Sequence, residues 1–189
     1  MIIISIDVGI RNLAFILIEV NEINIHKILK WEVIELCDKD EKACNVNNVK
    51  IGKNLNILLN EKLKDYKIDK ILIENQIGQN AIKMKTIQGM INMYFIMNNY
   101  EIDDIINYNA VHKLKYFIDK KKTTYAERKK LSKEITKKLC ETYYDEEINN
   151  YYKKFKKKDD LADCLLQCID YMKKINYIDE NFYLKNKII

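Results

Sequence analysis

The chain has 189 residues, 48% of them hydrophobic, and a formal net charge of +5 from 33 basic and 28 acidic side chains. This length suits one domain with a full core, and the apolar content excludes disorder over most of the chain. No stretch approaches the roughly 18 apolar residues of a membrane helix, and the apolar N-terminal run is too short for a signal peptide. Five cysteines without a CxxC pair, and only two histidines, argue against a structural zinc site. We therefore expect an intracellular protein with reduced thiols, no membrane association and no small-molecule cofactor.

Hydrophobic patterning predicts a mixed sheet. Three strands come first, with a hairpin turn at Asn21-Glu22 between the second and the third. Alternating helices and strands follow, and then helices alone, which is typical of an α/β layer. We predict one α/β domain over residues 1–189. The predicted strands are 1–8, 13–20, 23–36, 70–74 and 103–108, the helices are 47–64, 79–98, 110–118, 124–143 and 158–174, and residues 145–152 and 175–189 are left unassigned.

Four acidic residues stand where a metal-dependent nuclease needs them. Asp7 and Glu74 each end an apolar strand, and Asp160 and Asp163 are three residues apart on one face of a predicted helix. A carboxylate at the end of a buried strand is costly unless a cation or a donor offsets it. Each acid alone has an ordinary explanation, such as an Asp-x-Gly turn for Asp7 or a charged first helical turn for the pair.

Taken together, the four acids predict phosphoryl chemistry with two Mg²⁺ ions roughly 4 Å apart. Asp7 is the natural bridging ligand, and Glu74, Asp160 and Asp163 complete the two shells. Mn²⁺ is an alternative, since oxygen ligands accept both ions. Asp159 projects about 100° from its neighbour on the helix, so we expect it to support the site from outside.

A lysine near the site would offset charge at the scissile phosphate. Lys115 is the preferred candidate and Lys113 the second, because both follow the last predicted strand; an ordinary surface lysine is the alternative for either. Basic residues interleaved with tyrosines also run from Lys120 to Lys158, and the last cluster leads directly into Asp160. A solvated surface explains such a run, but a positive approach to an acidic site also suits a phosphodiester substrate.

Three segments give the chain a family resemblance. In order along the chain, they resemble motifs of the Holliday junction resolvases of poxviruses and other large DNA viruses, and are similar to the fungal mitochondrial and, more distantly, the bacterial resolvases. The last motif is the most specific. The segments are Ile6-Asp7-Val8-Gly9-Ile10-Arg11-Asn12-Leu13-Ala14, Leu72-Ile73-Glu74-Asn75-Gln76, and Lys157-Lys158-Asp159-Asp160-Leu161-Ala162-Asp163-Cys164-Leu165-Leu166-Gln167.

The resemblance implies a ribonuclease H-like fold, a homodimer, and Mg²⁺-dependent symmetrical nicking of four-way DNA junctions. It assigns catalytic and metal-binding roles to Asp7, Glu74, Asp160 and Asp163, and a catalytic role to Lys115. It places the helix over 79–98 at the dimer interface near the junction centre, and it favours a viral protein acting in the host cytoplasm. We expect DNA contacts from Arg11, Gln76, Gln79, Asn80, Lys83, Lys85, Lys113, Lys157 and Lys158.

Other classes remain open at this point. A ribonuclease H-like nuclease that cleaves RNA–DNA hybrids, or a transposase-type core, shares the acidic set. A non-catalytic binding protein is disfavoured because all four acids are present. A sugar-kinase or actin-like ATPase also begins with a strand and Asp-x-Gly, but four glycines in 189 residues cannot supply its second phosphate-binding half.

Overall fold

Five strands form one mixed sheet in a computed structural model that describes residues 1–78, 81–119 and 123–188. The three N-terminal strands pair antiparallel, while the last two run parallel to the first. The predicted mixed five-stranded sheet is therefore confirmed. The strands are β1 (Ile2–Asp7), β2 (Leu13–Glu22), β3 (Ile25–Ile34), β4 (Lys70–Glu74) and β5 (Ile105–Tyr108), in the spatial order β3-β2-β1-β4-β5.

Helices cover both faces of the sheet. On β1, Ile4 and Ile6 face the core beneath one pair of helices, while Ile3 faces the core beneath the others. Burial on both faces explains why the central strands are apolar runs rather than alternating sequences. One face carries α1 (Asn48–Leu63) and α2 (Ile82–Met97), and the other carries α3 (Tyr125–Tyr143), α4 (Glu146–Lys154), α5 (Lys158–Lys174) and α6 (Glu180–Asn186).

Two local predictions are wrong. Strand β2 continues to Glu22, so the hairpin turn is made by Ile23 and Asn24, and Asn24 adopts a φ of 62° that asparagine tolerates. The helix predicted over 110–118 shrinks to one 3₁₀ turn at Ala110–His112, although its predicted cap is present, because the Asn109 side chain accepts a bond from the backbone N–H of Val111.

The unassigned segments form helices. Residues 146–154 make α4, capped by the Asp145 side chain, and residues 180–186 make α6, capped by Asp179. The predicted capping box of α3 is confirmed, since Thr124 and Glu127 bond each other's backbone N–H groups. Among the described residues no helix is long and apolar enough to cross a membrane.

Candidate active site

Strand pairing brings Asp7 and Glu74 side by side. β1 and β4 are parallel neighbours with Ile6 opposite Ile73, so the next residue of each strand carries its carboxyl group to the same edge of the sheet. The two carboxyl groups interact electrostatically at this edge. Burial, and then the charges of Glu74 and Asp163, raise the pKa of Asp7 well above its usual range. This pair is the centre of the acidic site.

Gly9 has a structural explanation. A Cβ at this position would lie 2.6 Å from the carbonyl oxygen of Asn12, because the chain folds back tightly between β1 and β2. The glycine in the Asp-x-Gly motif is therefore required by the turn that follows Asp7.

Helix α5 delivers Asp163 to the same edge. Its N-terminal half is fixed by the Trp31 indole, which donates to the carbonyl oxygen of Leu161 at 3.2 Å. Further along, the buried Gln167 amide donates to the Ser5 hydroxyl at 3.0 Å, two residues before Asp7. These bonds tie α5 to β3 and β1, so the position of Asp163 depends on the sheet and not on a mobile loop.

Lys113 lies among the three carboxylates. Its Nζ is 2.7 Å from Oδ1 of Asp163, and only 13% of its side chain is exposed. Burial lowers the pKa of Lys113, but the charges of Asp163, Glu74 and Asp7 outweigh it, so the pKa is raised. Burial also raises the pKa of Asp163, and the adjacent Lys113 only partly counteracts this effect. One ammonium group is thus not enough to neutralise the site.

The order of preference between the two lysines is reversed by this geometry. Lys115, the first choice from the sequence, is exposed, and its Nζ lies 5.4 Å from the centre of the Tyr116 ring rather than among the acids. The short 3₁₀ turn after β5 accounts for the difference, because it directs Lys113 inward and the residue two positions later outward. Lys113 is the lysine that contacts the acidic cluster.

Asp160 stands at the margin of the cluster. Burial, and then the neighbouring Asp159, raise the pKa of Asp160 to about 6. Its Oδ2 atom is buried with no hydrogen-bond partner among the described residues. Asp159 instead pairs with Lys129 of α3 at 2.7 Å, which ties the first turn of α5 to α3. Asp160 interacts electrostatically with Asp163 and so belongs to the same acidic surface.

The acidic cluster suits a divalent cation in its chemistry. Asp7, Glu74 and Asp163 carry three negative charges when ionised, and Lys113 offsets one, which leaves room for two positive charges. All donors are carboxylate oxygens, the ligands that Mg²⁺ and Mn²⁺ accept. Within the described ranges no three His, Cys, Asp or Glu side chains are already arranged to hold a metal ion. The residues therefore fit a divalent ion by charge and ligand type.

A network of amides holds the loop after Glu74. Gln88 of α2, only 8% exposed, accepts a bond from the backbone N–H of Gln76 at 2.9 Å and donates to the Asn107 side chain at 2.7 Å. The Gln76 side chain in turn donates to Oε2 of Glu74 at 3.1 Å. Gln88 is not among the residues predicted from the sequence. Its signal was a polar residue beside Ile87 on the otherwise apolar face of α2.

A cleft of about 460 Å³ opens beside the acidic cluster. Its lining includes Glu74, Lys113 and Asp163 together with the start of α3. The start of α3 contributes Tyr125, Arg128 and Lys129, which belong to the basic run from Lys120 to Lys158. The Tyr125 ring and the Arg128 guanidinium next to carboxylates suit a nucleic-acid strand, because the ring stacks on bases and the cation contacts a phosphate.

The other predicted DNA contacts are scattered. Gln76 lines the cleft, Lys157 is exposed beside the site, and Lys158 begins α5. Lys85 is exposed on α2, and Gln79 and Asn80 lie outside the described residues. Arg11 and Lys83 have structural partners instead: Arg11 donates to the carbonyl oxygen of Glu41, and Lys83 donates to those of Cys44 and Val46 at 2.9 and 2.7 Å.

Comparisons with known proteins give one consistent result. The family model described as the poxvirus A22 protein matches residues 1–176. The fowlpox virus Holliday junction resolvase matches with a TM-score of 0.62 and 21% identity over 93% of this chain and 99% of that chain. The yeast mitochondrial Holliday junction resolvase Ydc2 matches with a TM-score of 0.65 and 18% identity, over 97% and 83%. RuvC of Thermus thermophilus matches with a TM-score of 0.60 and 14% identity, over 93% and 98%.

A search of curated proteins found no match. The family model and the similar structures nevertheless confirm the resemblance inferred from the three motifs. They also confirm the predicted ribonuclease H-like fold, since the RuvC-type resolvases share it.

Proposed function

The chain belongs to the poxvirus A22 protein family, and we propose that it is a Mg²⁺-dependent endonuclease that resolves four-way DNA junctions by paired symmetrical nicks. One observation carries the chemical part of this proposal: the half-buried carboxylates of Asp7, Glu74 and Asp163 gather around Lys113 at the carboxyl edge of the sheet. The substrate is inferred from similar proteins, because the structures of the fowlpox virus resolvase and of Thermus thermophilus RuvC include complexes with Holliday junctions.

Each acidic residue has a role in the proposal. Asp7, Glu74 and Asp163 would hold the metal ions, and Asp160, with its unpartnered buried oxygen, would complete the set. When bound, the ions supply Lewis-acid activation of water and stabilisation of the leaving oxygen. The ammonium group of Lys113 is free to turn toward a phosphate once Asp163 has a stronger counter-charge. We therefore assign the catalytic lysine to Lys113 and not to Lys115.

The cleft explains how DNA approaches the site. Arg128 lines the same cleft as the carboxylates and would contact the phosphate next to the scissile one, while Tyr125 would support a base or a sugar. Lys129 is held by Asp159, so it shapes the wall and does not release its charge to the substrate. A single strand held by Arg128 and by the acidic cluster would be fixed in register.

We propose that two copies of the chain form a homodimer through the outer face of α2. Ile82, Met93, Ile96 and Met97 are exposed there, and the Cβ position of Gly89 is open. These positions follow the helical spacing of one stripe, as two α2 helices packed against each other require. A dimer would present two acidic sites to one junction, which explains paired nicks.

We further propose that residues 1–189 form one domain and that the protein acts in the host cytoplasm.

Cleavage of a labelled synthetic four-way junction tests the proposal. Linear duplex and an RNA–DNA hybrid serve as competing substrates, and each is incubated with Mg²⁺ or with EDTA. We expect symmetrical nicks on the junction only in Mg²⁺. Asp160→Asn should lose them, while Asp65→Asn, which changes an exposed aspartate just after α1, should not. Preferential hybrid cleavage would assign the site to a ribonuclease, and junction binding without cleavage would contradict the enzymatic proposal.

A further inference from the structure

A second groove lies between α3 and α4, separate from the catalytic cleft. It encloses about 450 Å³, and its described lining is dominated by lysines from three helices, with a single acidic residue among them. The described lining consists of Lys130, Lys133, Glu134 and Lys137 of α3, Tyr152 and Lys153 of α4, and Lys158 at the start of α5. We call this feature the lysine groove.

Helical geometry places three of these lysines in a row. Lys130, Lys133 and Lys137 are spaced i, i+3 and i+7, so they share one face of α3. At 1.5 Å per residue, the row spans about 10.5 Å. All three side chains are exposed, and their stems leave the helix on the side that faces α4.

Most of this positive charge has no counter-charge. Within the described ranges Lys133, Lys137 and Lys158 form no ion pair. Lys130 has only a 3.8 Å pair with the exposed Glu134, and Lys153 pairs with Glu141 at 3.3 Å. Residues 123–158 contain eleven basic and six acidic side chains, an excess equal to the +5 of the whole chain. Like charges crowded on one side of a fold repel each other. Such an arrangement suits a polyanion that binds there.

The floor of the lysine groove is rigid. The Tyr152 ring is 1% exposed and stacks on the Trp31 ring at 5.4 Å, with an angle of 1° between the planes. Its hydroxyl donates to the carbonyl oxygen of Lys133 at 3.2 Å, which joins α4 to α3. Trp31 also bonds α5 through Leu161, so one buried contact fixes all three helices that line the groove. The walls are therefore preformed, and only the lysine heads need to adjust.

The lysine groove begins where the acidic site ends. Lys129 lines the catalytic cleft and pairs with Asp159, and the next residue, Lys130, lines the groove. Lys158 of the groove stands two residues before Asp160. We propose that the lysine groove binds the phosphate backbone of one duplex arm of the DNA substrate as that arm leaves the acidic site. This inference rests on the proposed function, since it extends the same substrate along the surface.

The dimensions suit a duplex backbone. Phosphates of one strand are spaced about 3.4 Å along the duplex axis, so the row on α3 faces roughly three of them. Each phosphate that is neutralised contributes about 0.9 to the slope of log affinity against log salt. Three groove lysines should therefore account for a slope of about 2 to 3.

Salt-dependent binding separates this surface from general attraction. The affinity for a four-way junction is measured in EDTA at several salt concentrations for wild type and for K130Q/K133Q/K137Q. We expect the slope to fall by about 2 to 3 and the affinity at low salt to fall at least tenfold. The control, K53Q/K64Q/K67Q, removes three exposed lysines from α1 and the segment after it, on the other side of the sheet. It should change the slope by less than 1.

A gain of binding provides an independent test. Glu134→Gln removes the one acidic side chain among the described lining residues, so it should tighten binding several-fold and leave folding unchanged.

At saturating junction concentration, the triple groove variant should cleave within about threefold of wild type, because the groove lysines do not contact the acidic cluster.

The experiments distinguish failure of the lysine-groove inference from failure of the proposed endonuclease activity. If both triple variants lose the same slope, the lysine groove has no special role, even when cleavage by wild type is intact. If wild type does not cleave junctions but only the groove variant loses the slope, the proposed enzyme activity is wrong and the lysine groove stands. An unchanged or weaker affinity for Glu134→Gln would also overturn the inference.

Discussion

Gln88 offers a direct test of how the acidic site is held. This residue lies on α2, away from the carboxylates, yet it bonds the loop that positions Glu74. Gln88→Ala removes three hydrogen bonds: one accepted from Gln76, and two donated to Asn107 at 2.7 Å and to Asn75 at 3.3 Å. Each such bond contributes about 1 kcal/mol, so the free energy of unfolding should fall by about 2–4 kcal/mol.

The effect on catalysis should exceed the effect on DNA binding. Without Gln88, the backbone of Gln76 is no longer held in place. The Gln76 side chain is then no longer positioned to donate its hydrogen bond to Oε2 of Glu74. Loss of a residue that orients a metal ligand typically costs 10- to 100-fold in metal affinity or activity. We expect the Mg²⁺ concentration for half-maximal junction cleavage to rise by that factor, with part of the rate recovered at high Mg²⁺.

The matched control is Asn92→Ala. Asn92 also lies on α2 and donates to Asn107, at 3.2 Å, but among the described residues it forms no hydrogen bond with the loop after Glu74. Its removal should cost about 1 kcal/mol of stability and leave the Mg²⁺ requirement unchanged. Urea unfolding and cleavage over a Mg²⁺ series are measured on both variants. If Gln88→Ala loses stability but keeps the wild-type Mg²⁺ requirement, the reasoning about Glu74 is refuted.

Three further outcomes are expected. Lys113→Met should reduce junction cleavage at least 100-fold, while Lys115→Met should stay within threefold of wild type; the reverse result would restore the order of preference from the sequence. The folded pKa of Asp160 is about 6, above its usual 3.8, so the folded state binds more protons between these values and stability in EDTA should fall as pH rises from about 4 to 6. Because Asp160 is partly exposed, its contribution to this loss of stability is limited to about 1–2 kcal/mol. Urea unfolding of Asp160→Asn tests whether Asp160 is the cause, since this variant should lack that contribution. Replacing Met93 and Met97 together with glutamate should convert a dimer to a monomer in sedimentation experiments and abolish paired but not single nicks, whereas a persistent dimer would exclude this face of α2.

Much of the fold was predictable because its signals are local. The apolar runs before Asp7 and Glu74, the capping box at Thr124 and the amphipathic pattern of α2 all depend on residues near one another in sequence. Helix α4 was missed because residues 146–154 are polar and aromatic, and their helical state depends on Tyr152 packing against Trp31. The packing of Tyr152 on Trp31 therefore stabilises a helix that the local sequence of α4 favours only weakly.

The acidic residues were also predictable, because each one ends an apolar strand or begins an apolar helix where a buried carboxylate needs a reason. The sequence alone therefore determined the order of strands and helices along the chain, the acidic set and the family resemblance. Tertiary structure decided which lysine contacts Asp163, since the chain after β5 turns by one 3₁₀ step instead of a full helix. It also decided that Gln88 supports Glu74 and that the lysines of α3 and α4 face one groove. These facts depend on the distances between elements far apart in the chain, which packing sets and local sequence does not encode.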